Sequence, residues 1–195
     1  MISTIEYTTD RLSTNVQQQF VNMEAEQIKE AIAGGRNELV NVCMNLSSDF
    51  NKSSVIRASN AFLCRETYIV GKKKYDRRGT VGMHHFEVIK HGDTLAEVVE
   101  HLHSEGYTVY AVDNGPLLDP VALYDVDFPI KSAFVYGEEQ AGLSPEDIAL
   151  CDAAVYIPQR GIVRSLNVAQ CAATMMSEYT RQHRFDLPPS PSGQV

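Results

Sequence analysis

The 195-residue sequence has no apolar run approaching the roughly 20 residues that a bilayer-spanning helix needs, so no membrane partner is expected. Its start, Met1-Ile2-Ser3-Thr4-Ile5-Glu6, lacks both a basic n-region and an apolar h-region and does not read as a secretory signal. Cysteine is scarce. Cys43, Cys64, Cys151 and Cys171 are far apart and form no CxxC pair, which reads as buried free thiols rather than disulfides or metal ligands and fits a reducing cytoplasm. Metal-ligand spacing is missing, so no metal is expected. GxGxxG is also missing, which argues against a dinucleotide-binding turn. Positive charge is not in excess either. The net charge of −8 argues against a chain that coats nucleic acid non-specifically.

What the chain has is 44% apolar residues, enough for one sizeable core. It also has a local basic cluster. Lys72, Lys73, Lys74, Arg77 and Arg78 fall within seven residues, with Tyr75 among them and Gly79-Thr80-Val81-Gly82 following. That composition reads as a phosphate-contacting loop, with an ordinary solvated loop as the alternative. His84 and His85 follow and read as surface histidines.

Residues 1–12 read as an irregular arm, and residues 15–33 as a helix capped by Ser13 or Thr14 and ended by Gly34-Gly35. Strand and helix patterns then alternate. Strands are expected over 39–46, 66–70, 87–90, 107–113, 132–136 and 154–157. Helices are expected over 52–62, over 94–104 with Thr94 as cap, over 145–150 with Ser144 as cap, and over 166–182. The last of these is apolar or small on more than one side, which predicts burial nearly all round. The alternation means an α/β fold with a mostly parallel sheet and helices on both faces. Residues 188–193, Pro- and Ser-rich, read as a disordered tail.

Three segments carry chemistry. In Asn51-Lys52-Ser53-Ser54-Val55-Ile56-Arg57, a strand-to-helix turn offers Asn51 as a cap and an arginine inside the helix. In Tyr136-Gly137-Glu138-Glu139-Gln140-Ala141-Gly142-Leu143-Ser144, a buried strand ends in glycine, where the backbone can approach a ligand at the carboxyl end of a parallel sheet. In Ile157-Pro158-Gln159-Arg160-Gly161-Ile162-Val163-Arg164-Ser165-Leu166-Asn167-Val168, a strand stops at proline and a small-residue loop opens the last helix.

Together these segments resemble the three signatures of the SpoU (TrmH-like) branch of the SPOUT RNA methyltransferases, and the resemblance covers roughly residues 39–182. Glu138 stands where the family usually has Asn, and Gln159 where it usually has Met. Gln in that place, with Glu178-Tyr179-Thr180-Arg181-Gln182 downstream, is similar to eukaryotic-type tRNA guanosine ribose methyltransferases. The resemblance implies a C-terminal trefoil knot, a homodimer, S-adenosylmethionine as cofactor and methyl transfer to a ribose 2′-hydroxyl of tRNA or rRNA. It divides the chain into an N-terminal arm and helix (1–36), a SPOUT methyltransferase domain (37–184) and a tail (185–195). It implies Arg57, Asn51, Glu139, Ser165 and Asn167 as catalytic residues, with Val112, Gly137, Ile157, Gln159, Gly161 and Leu166 around the cofactor. A guanidinium stays protonated at neutral pH, so anchoring phosphate and stabilising alkoxide charge suit Arg57 better than taking a proton. A non-catalytic RNA-binding dimer and a methyltransferase for another substrate remain open at this point.

Overall fold

Short runs rich in Val, Ala, Tyr and Phe alternate with amphipathic segments, and the runs assemble into one eight-stranded sheet. A computed structural model describes residues 2–4, 16–115 and 119–183. Its strands are β1 (Ser3–Thr4), β2 (Val40–Cys43), β3 (Glu66–Val70), β4 (Ile89–Gly92), β5 (Thr108–Val112), β6 (Val121–Ala122), β7 (Ser132–Tyr136) and β8 (Ala153–Tyr156). Its helices are α1 (Ala25–Ala33), α2 (Asp49–Ala61), α3 (Arg77–Thr80), α4 (Leu95–Ser104), α5 (Pro145–Ala149) and α6 (Val168–His183). The sheet order is β1-β4-β3-β2-β7-β5-β8-β6, and every pairing is parallel except that of β1 with β4.

Strand periodicity sends alternate residues to opposite faces, and both faces are covered. On one face Cys43, Tyr110, Phe134 and Tyr136 pack with Val55 of α2 and with Ala172, Met175, Met176 and Tyr179 of α6. On the other, Val40, Val42, Val109, Ala111, Ala133 and Val135 pack with Leu95, Val98, Val99 and Leu102 of α4 and Ile148 of α5. The α1 helix packs through Ile28 and Ile32 on Met83 and Phe86.

The Glu-Tyr-Thr-Arg-Gln run of α6 is a clamp. Tyr179 is buried against Phe134, its hydroxyl donating to the Ile130 carbonyl. Gln182 accepts from the Phe128 amide at 2.9 Å and donates to the Val126 carbonyl at 2.7 Å. Glu178 pairs with Arg181 at 2.6 Å.

Several expectations need correction. The expected helix over 15–33 is broken: a 3-10 turn (Gln18–Phe20) precedes α1, because Glu24 and Gln27 close a capping box at 2.9 Å and start the helix there. The proposed caps Ser13 and Thr14, residue 15, residues 5–12 of the arm and the tail lie outside the described residues. Within the arm, Ser3 and Thr4 form an edge strand rather than irregular chain. The α2 helix begins at Asp49, not Lys52, so Asn51 sits in its first turn and is not its cap. The basic segment is not wholly a loop, because Asp76 accepts from the Arg78 amide and nucleates α3. His84 is buried rather than at the surface, bonded through Nδ1 to Thr80 Oγ1. Burial, then the neighbouring His85 and Arg77, push its imidazole down to about 4. Within the protomer, α6 buries Val168, Ala172, Met175, Met176, Glu178 and Tyr179, whereas Gln170, Ser177 and Arg181 are exposed.

The Thr94 and Ser144 caps are present, accepting from the amides of Glu97 at 3.3 Å and Asp147 at 3.1 Å. All four cysteines are free thiols, with Cys43 and Cys64 buried and Cys151 and Cys171 half-buried. Burial pushes the Cys43 thiol up to about 12.

Between the sheet and α2 lies a buried polar chain. Tyr136 Oη donates to Asn41 Oδ1 at 2.9 Å, Asn41 Nδ2 donates to Ser59 Oγ at 3.1 Å, and Ser59 Oγ meets Thr67 Oγ1 at 2.8 Å. Tyr136→Phe leaves the Asn41 oxygen without its donor, and the expected cost is about 1–3 kcal/mol. Urea unfolding should show a lower midpoint at unchanged slope. An unchanged midpoint would mean that the chain adds nothing to stability.

Candidate active site at the carboxyl ends of the parallel strands

Four neighbouring strands, β2, β7, β5 and β8, end at one edge of the sheet. Cys43 is in register with Tyr136, Tyr136 with Val112, and Val112 with Val155. Their loops therefore start side by side, at the place where parallel sheets hold ligands. Two backbone bonds continue the ladder past the strands, from the Met44 amide to the Tyr136 carbonyl (3.0 Å) and from the Asp113 amide to the Val155 carbonyl (3.1 Å).

In the loop after β7, Gly137 allows a close backbone approach. A Cβ there would lie 2.4 Å from the Gly142 carbonyl carbon and 2.6 Å from the Leu143 nitrogen. Gly142 turns the chain back at φ +70°, a conformation that suits glycine. Glu138 and Gly142 form a β-bridge. The Glu138 carboxylate accepts from the amides of Gln140 (3.3 Å) and Ala141 (2.9 Å). The charge that departs from the family's Asn is thus folded onto its own loop.

The adjacent Glu139 is the centre of the site. One of its oxygens accepts from the Ser47 amide at 3.0 Å and the Ser47 hydroxyl at 2.8 Å, and the other accepts from Asn51 Nδ2 at 2.6 Å. With its amide fixed that way, Asn51 presents Oδ1 to Asn167 Nδ2 at 3.1 Å. Asn167 in turn accepts from the Ala169 amide at 2.9 Å and so starts α6. One hydrogen-bonded chain therefore joins all three sequence segments. Burial pushes the Glu139 carboxyl up, but the bonds from Asn51 and Ser47 outweigh it and hold the group below its ordinary value.

The remaining residues singled out in the sequence are distributed around this chain. Ile157 is buried, and Val112 and Leu166 are half-buried against the same apolar cluster. Gly161 is exposed, with open space where a Cβ would be. Gln159 is half-buried, and its Oε1 is buried with no hydrogen-bond partner among the described residues. Ser165 is exposed, and its side chain makes no hydrogen bond among the described residues. Arg57 is exposed, six residues along α2 from Asn51, hence roughly 9 Å along the axis and about 120° around it. The protomer does not bring Arg57 into the Asn51–Glu139–Asn167 chain. Of the basic segment, Lys74 pairs with Asp49 at 3.3 Å and Arg78 with Asp76 at 2.6 Å, while Lys72, Lys73 and Arg77 are exposed. Tyr75 is buried with Ile56, Ile69 and Ile89 and is not presented to a base. Among the described residues no group of three or more His, Cys, Asp or Glu is arranged to hold a metal ion, and no helix is long and apolar enough to cross a membrane.

Three site residues escaped the sequence reading. Ser47 supplies two of the donors to Glu139. Asp113, directly after β5, accepts from the Gly115 amide at 2.6 Å and the Leu143 amide at 3.3 Å, and Asn114 donates to the Arg164 carbonyl at 3.0 Å. Two consecutive residues thus hold the loops after β7 and β8. The available signal was Asp113-Asn114-Gly115, a turn-forming run directly after a strand.

Glu139→Gln puts an amide group where only acceptors fit, so one donor from Ser47 or Asn51 loses its partner. The expected cost at pH 7 is about 1–3 kcal/mol. A depressed folded-state pKa means that wild-type stabilisation is fully present above the unfolded value and is lost as pH falls through the folded one. The stability gap between the two proteins, from denaturant unfolding across pH 3–7, should therefore close on the acid side of the ordinary value of 4.5. A gap constant over that range would contradict the assignment.

Comparison with known proteins shows the family. Residues 38–177 match the model of the SpoU rRNA Methylase family. A tRNA (guanosine(18)-2'-O)-methyltransferase of Thermus thermophilus is 30% identical over 159 residues, covering 80% of this chain and 81% of that protein. The mouse tRNA (guanosine(18)-2'-O)-methyltransferase TARBP1 is 38% identical over 98 residues, which are 50% of this chain and 6% of the mouse protein. The SpoU methyltransferase AviRb of Streptomyces viridochromogenes, solved in complex with the cofactor AdoMet, matches with a TM-score of 0.69 at 25% identity, over 76% of this chain and 62% of AviRb. This chain therefore spans a little under two thirds of AviRb. The family match includes all three segments joined by Glu139, and the chain belongs to the SpoU methylase family.

Proposed function

We propose that this SpoU-family methyltransferase transfers a methyl group from S-adenosylmethionine to a ribose 2′-hydroxyl of RNA, with a guanosine in tRNA as the favoured target. The observation that carries the reading is the Asn51–Glu139–Asn167 chain, because it draws the three family signatures to one point. Relatives named as tRNA 2'-O-methyltransferases support the substrate class.

The residues present fit the cofactor. Gln159 Oε1 is a buried acceptor without a donor among the described residues, suited to an amino group, and the half-buried Leu166 and the buried Ile157 belong to one apolar cluster that can receive an adenine ring. Gly161, with open space on its Cβ side, leaves the loop after β8 unobstructed, Val112 is half-buried at the end of β5, and Gly137 lets the loop after β7 fold back tightly on Gly142 and Leu143 beside them. The cofactor supplies an electrophilic methyl group when bound. Glu139 already accepts three hydrogen bonds as a carboxylate, so its role is to orient Asn51 and the loop after β2 rather than to take a proton. Arg57 keeps an exposed fork that suits an RNA phosphate and the charge developing on the attacking oxygen. Ser165 and Asn167 sit at the opening of α6, where Asn167 fixes the helix start. Lys72, Lys73, Lys74, Arg77 and Arg78 add an outer basic edge.

A homodimer and a C-terminal knot complete the proposal. The half-buried Ala169 and Ala173 of α6, the 63%-exposed Tyr124 and a shallow cavity of about 340 Å³ lined by Tyr124, Ala173, Thr174, Ser177 and Glu178 support a partner against that helix. The knot is what membership of the family implies for the segment leading into α6, which the Asn114–Arg164 bond holds against the loop after β5.

Calorimetry should detect stoichiometric binding of S-adenosylmethionine, and nucleoside mass spectrometry of an incubated tRNA transcript should show one new 2′-O-methylated nucleoside. Arg57→Lys should lower turnover by about 10²-fold or more while cofactor affinity changes less than threefold. Absence of cofactor binding would defeat the enzymatic reading, and near-normal turnover of Arg57→Lys would remove Arg57 from the chemistry.

A further inference from the structure

In an acidic protein, a cation that finds no internal partner is available to an external anion. Most described lysines and arginines are engaged. Lys29, Arg36, Lys52, Arg65, Lys74, Arg78, Lys90 and Arg181 form ion pairs. Lys131 donates to the Glu105 carbonyl, Lys73 reaches Ser3, and Arg77 has an interaction of its own. Among the described residues, the lysine and arginine side chains without a partner are Arg57, Lys72, Arg160 and Arg164.

Three of these four lie on the two segments joined through Asn51 and Asn167. Arg57 is on α2, and Arg160 and Arg164 are on the loop between β8 and α6. Both loop arginines are exposed, and the tip between them, Ile162 and Val163, is 105% and 60% exposed. The loop is held at its base by the Arg164 carbonyl, which accepts from Asn114. The carboxylates nearest along the neighbouring loops are otherwise occupied. Glu138 is bonded to its own turn, Glu139 to Ser47 and Asn51, and Asp113 to Gly115 and Leu143.

We propose that Arg160 and Arg164 form the principal phosphate-binding pair of this protein, holding the RNA backbone next to the target ribose. The inference rests on the RNA-substrate reading above and moves the main electrostatic contact from the 72–78 segment to the site itself. In that segment Lys74 and Arg78 are already opposed by Asp49 and Asp76, and an incoming phosphate would have to displace those carboxylates. Two unopposed guanidinium groups need no such exchange and can each take a phosphate oxygen pair bidentately.

The test is fluorescence anisotropy with an unmodified tRNA transcript across a salt series, on wild type, on the Arg160→Gln/Arg164→Gln double variant and on Lys74→Gln/Arg78→Gln. Loss of two phosphate contacts should weaken binding about tenfold or more and flatten the dependence of log K on log salt by roughly 1.4–1.8. The Lys74→Gln/Arg78→Gln pair should flatten it by less than half as much. S-adenosylmethionine affinity of the Arg160→Gln/Arg164→Gln variant, read by calorimetry, should stay within threefold of wild type. An unchanged salt dependence overturns the inference, and so does a simultaneous loss of cofactor binding, which would mean that the loop had collapsed. If wild type binds no S-adenosylmethionine yet the salt dependence still flattens, the methyltransferase reading fails and the arginine assignment stands.

Discussion

The site depends on one carboxylate held as an acceptor. Glu139 sits on the loop after β7 and takes its bonds from Ser47 and Asn51, which belong to the loop after β2 and the first turn of α2. An ionised carboxylate makes stronger hydrogen bonds than a neutral amide and has no donor of its own, so it fixes which end of the Asn51 amide faces outward. That choice leaves Asn51 Oδ1 for Asn167, and the start of α6 follows from it. These bonds tie residues 88, 92 and 116 positions apart in sequence, so they cannot form until the sheet has brought the strand ends together.

The sheet does this by ordinary means. Parallel strands need coverage on both faces, and α2 with α6 on one side and α4 with α5 on the other provide it. With both faces closed, and the Tyr136–Asn41–Ser59–Thr67 chain satisfied beneath α2, the loops with free backbone gather at the strand ends. At the carboxyl edge, β2, β7, β5 and β8 release their loops side by side. Asp113 and Asn114 then brace the loops after β7 and β8. On the opposite end of α6, Tyr179 and Gln182 hold the helix to residues 126–130, which explains why a polar run reads so distinctly at the end of an apolar helix.

Much of this was legible in the chain. The strands at 66–70 and 132–136 have the bounds that their β-branched and aromatic runs indicate, because Tyr68-Ile69-Val70 and Ala133-Phe134-Val135-Tyr136 are the apolar stretches a buried parallel strand needs. Caps at Thr94 and Ser144 were equally readable, since a short side-chain acceptor and the amide three residues on form a local unit. Local rules give way where non-local partners compete with them. Asn51 has the chemistry of a cap, but α2 starts two residues earlier and the side chain turns to Glu139 instead. Tyr75 lies in a basic run, yet the pocket formed by Ile56, Ile69 and Ile89 takes its ring. His84 is polar in composition and buried in fact, for the same reason.

By itself the sequence determined the α/β class, the parallel sheet and the identity of the three polar segments, because each follows from periodicity and residue chemistry within about a dozen neighbours. Only the tertiary structure decided which polar groups share a site. It joined Ser47, Asn51, Glu139 and Asn167 and left Arg57 facing outward. It also opposed Lys74 and Arg78 with Asp49 and Asp76 while leaving Arg160 and Arg164 unopposed. The physical reason is common to all of them. A hydrogen bond or ion pair is set by distance and direction in space, and a count of residues along the chain contains neither.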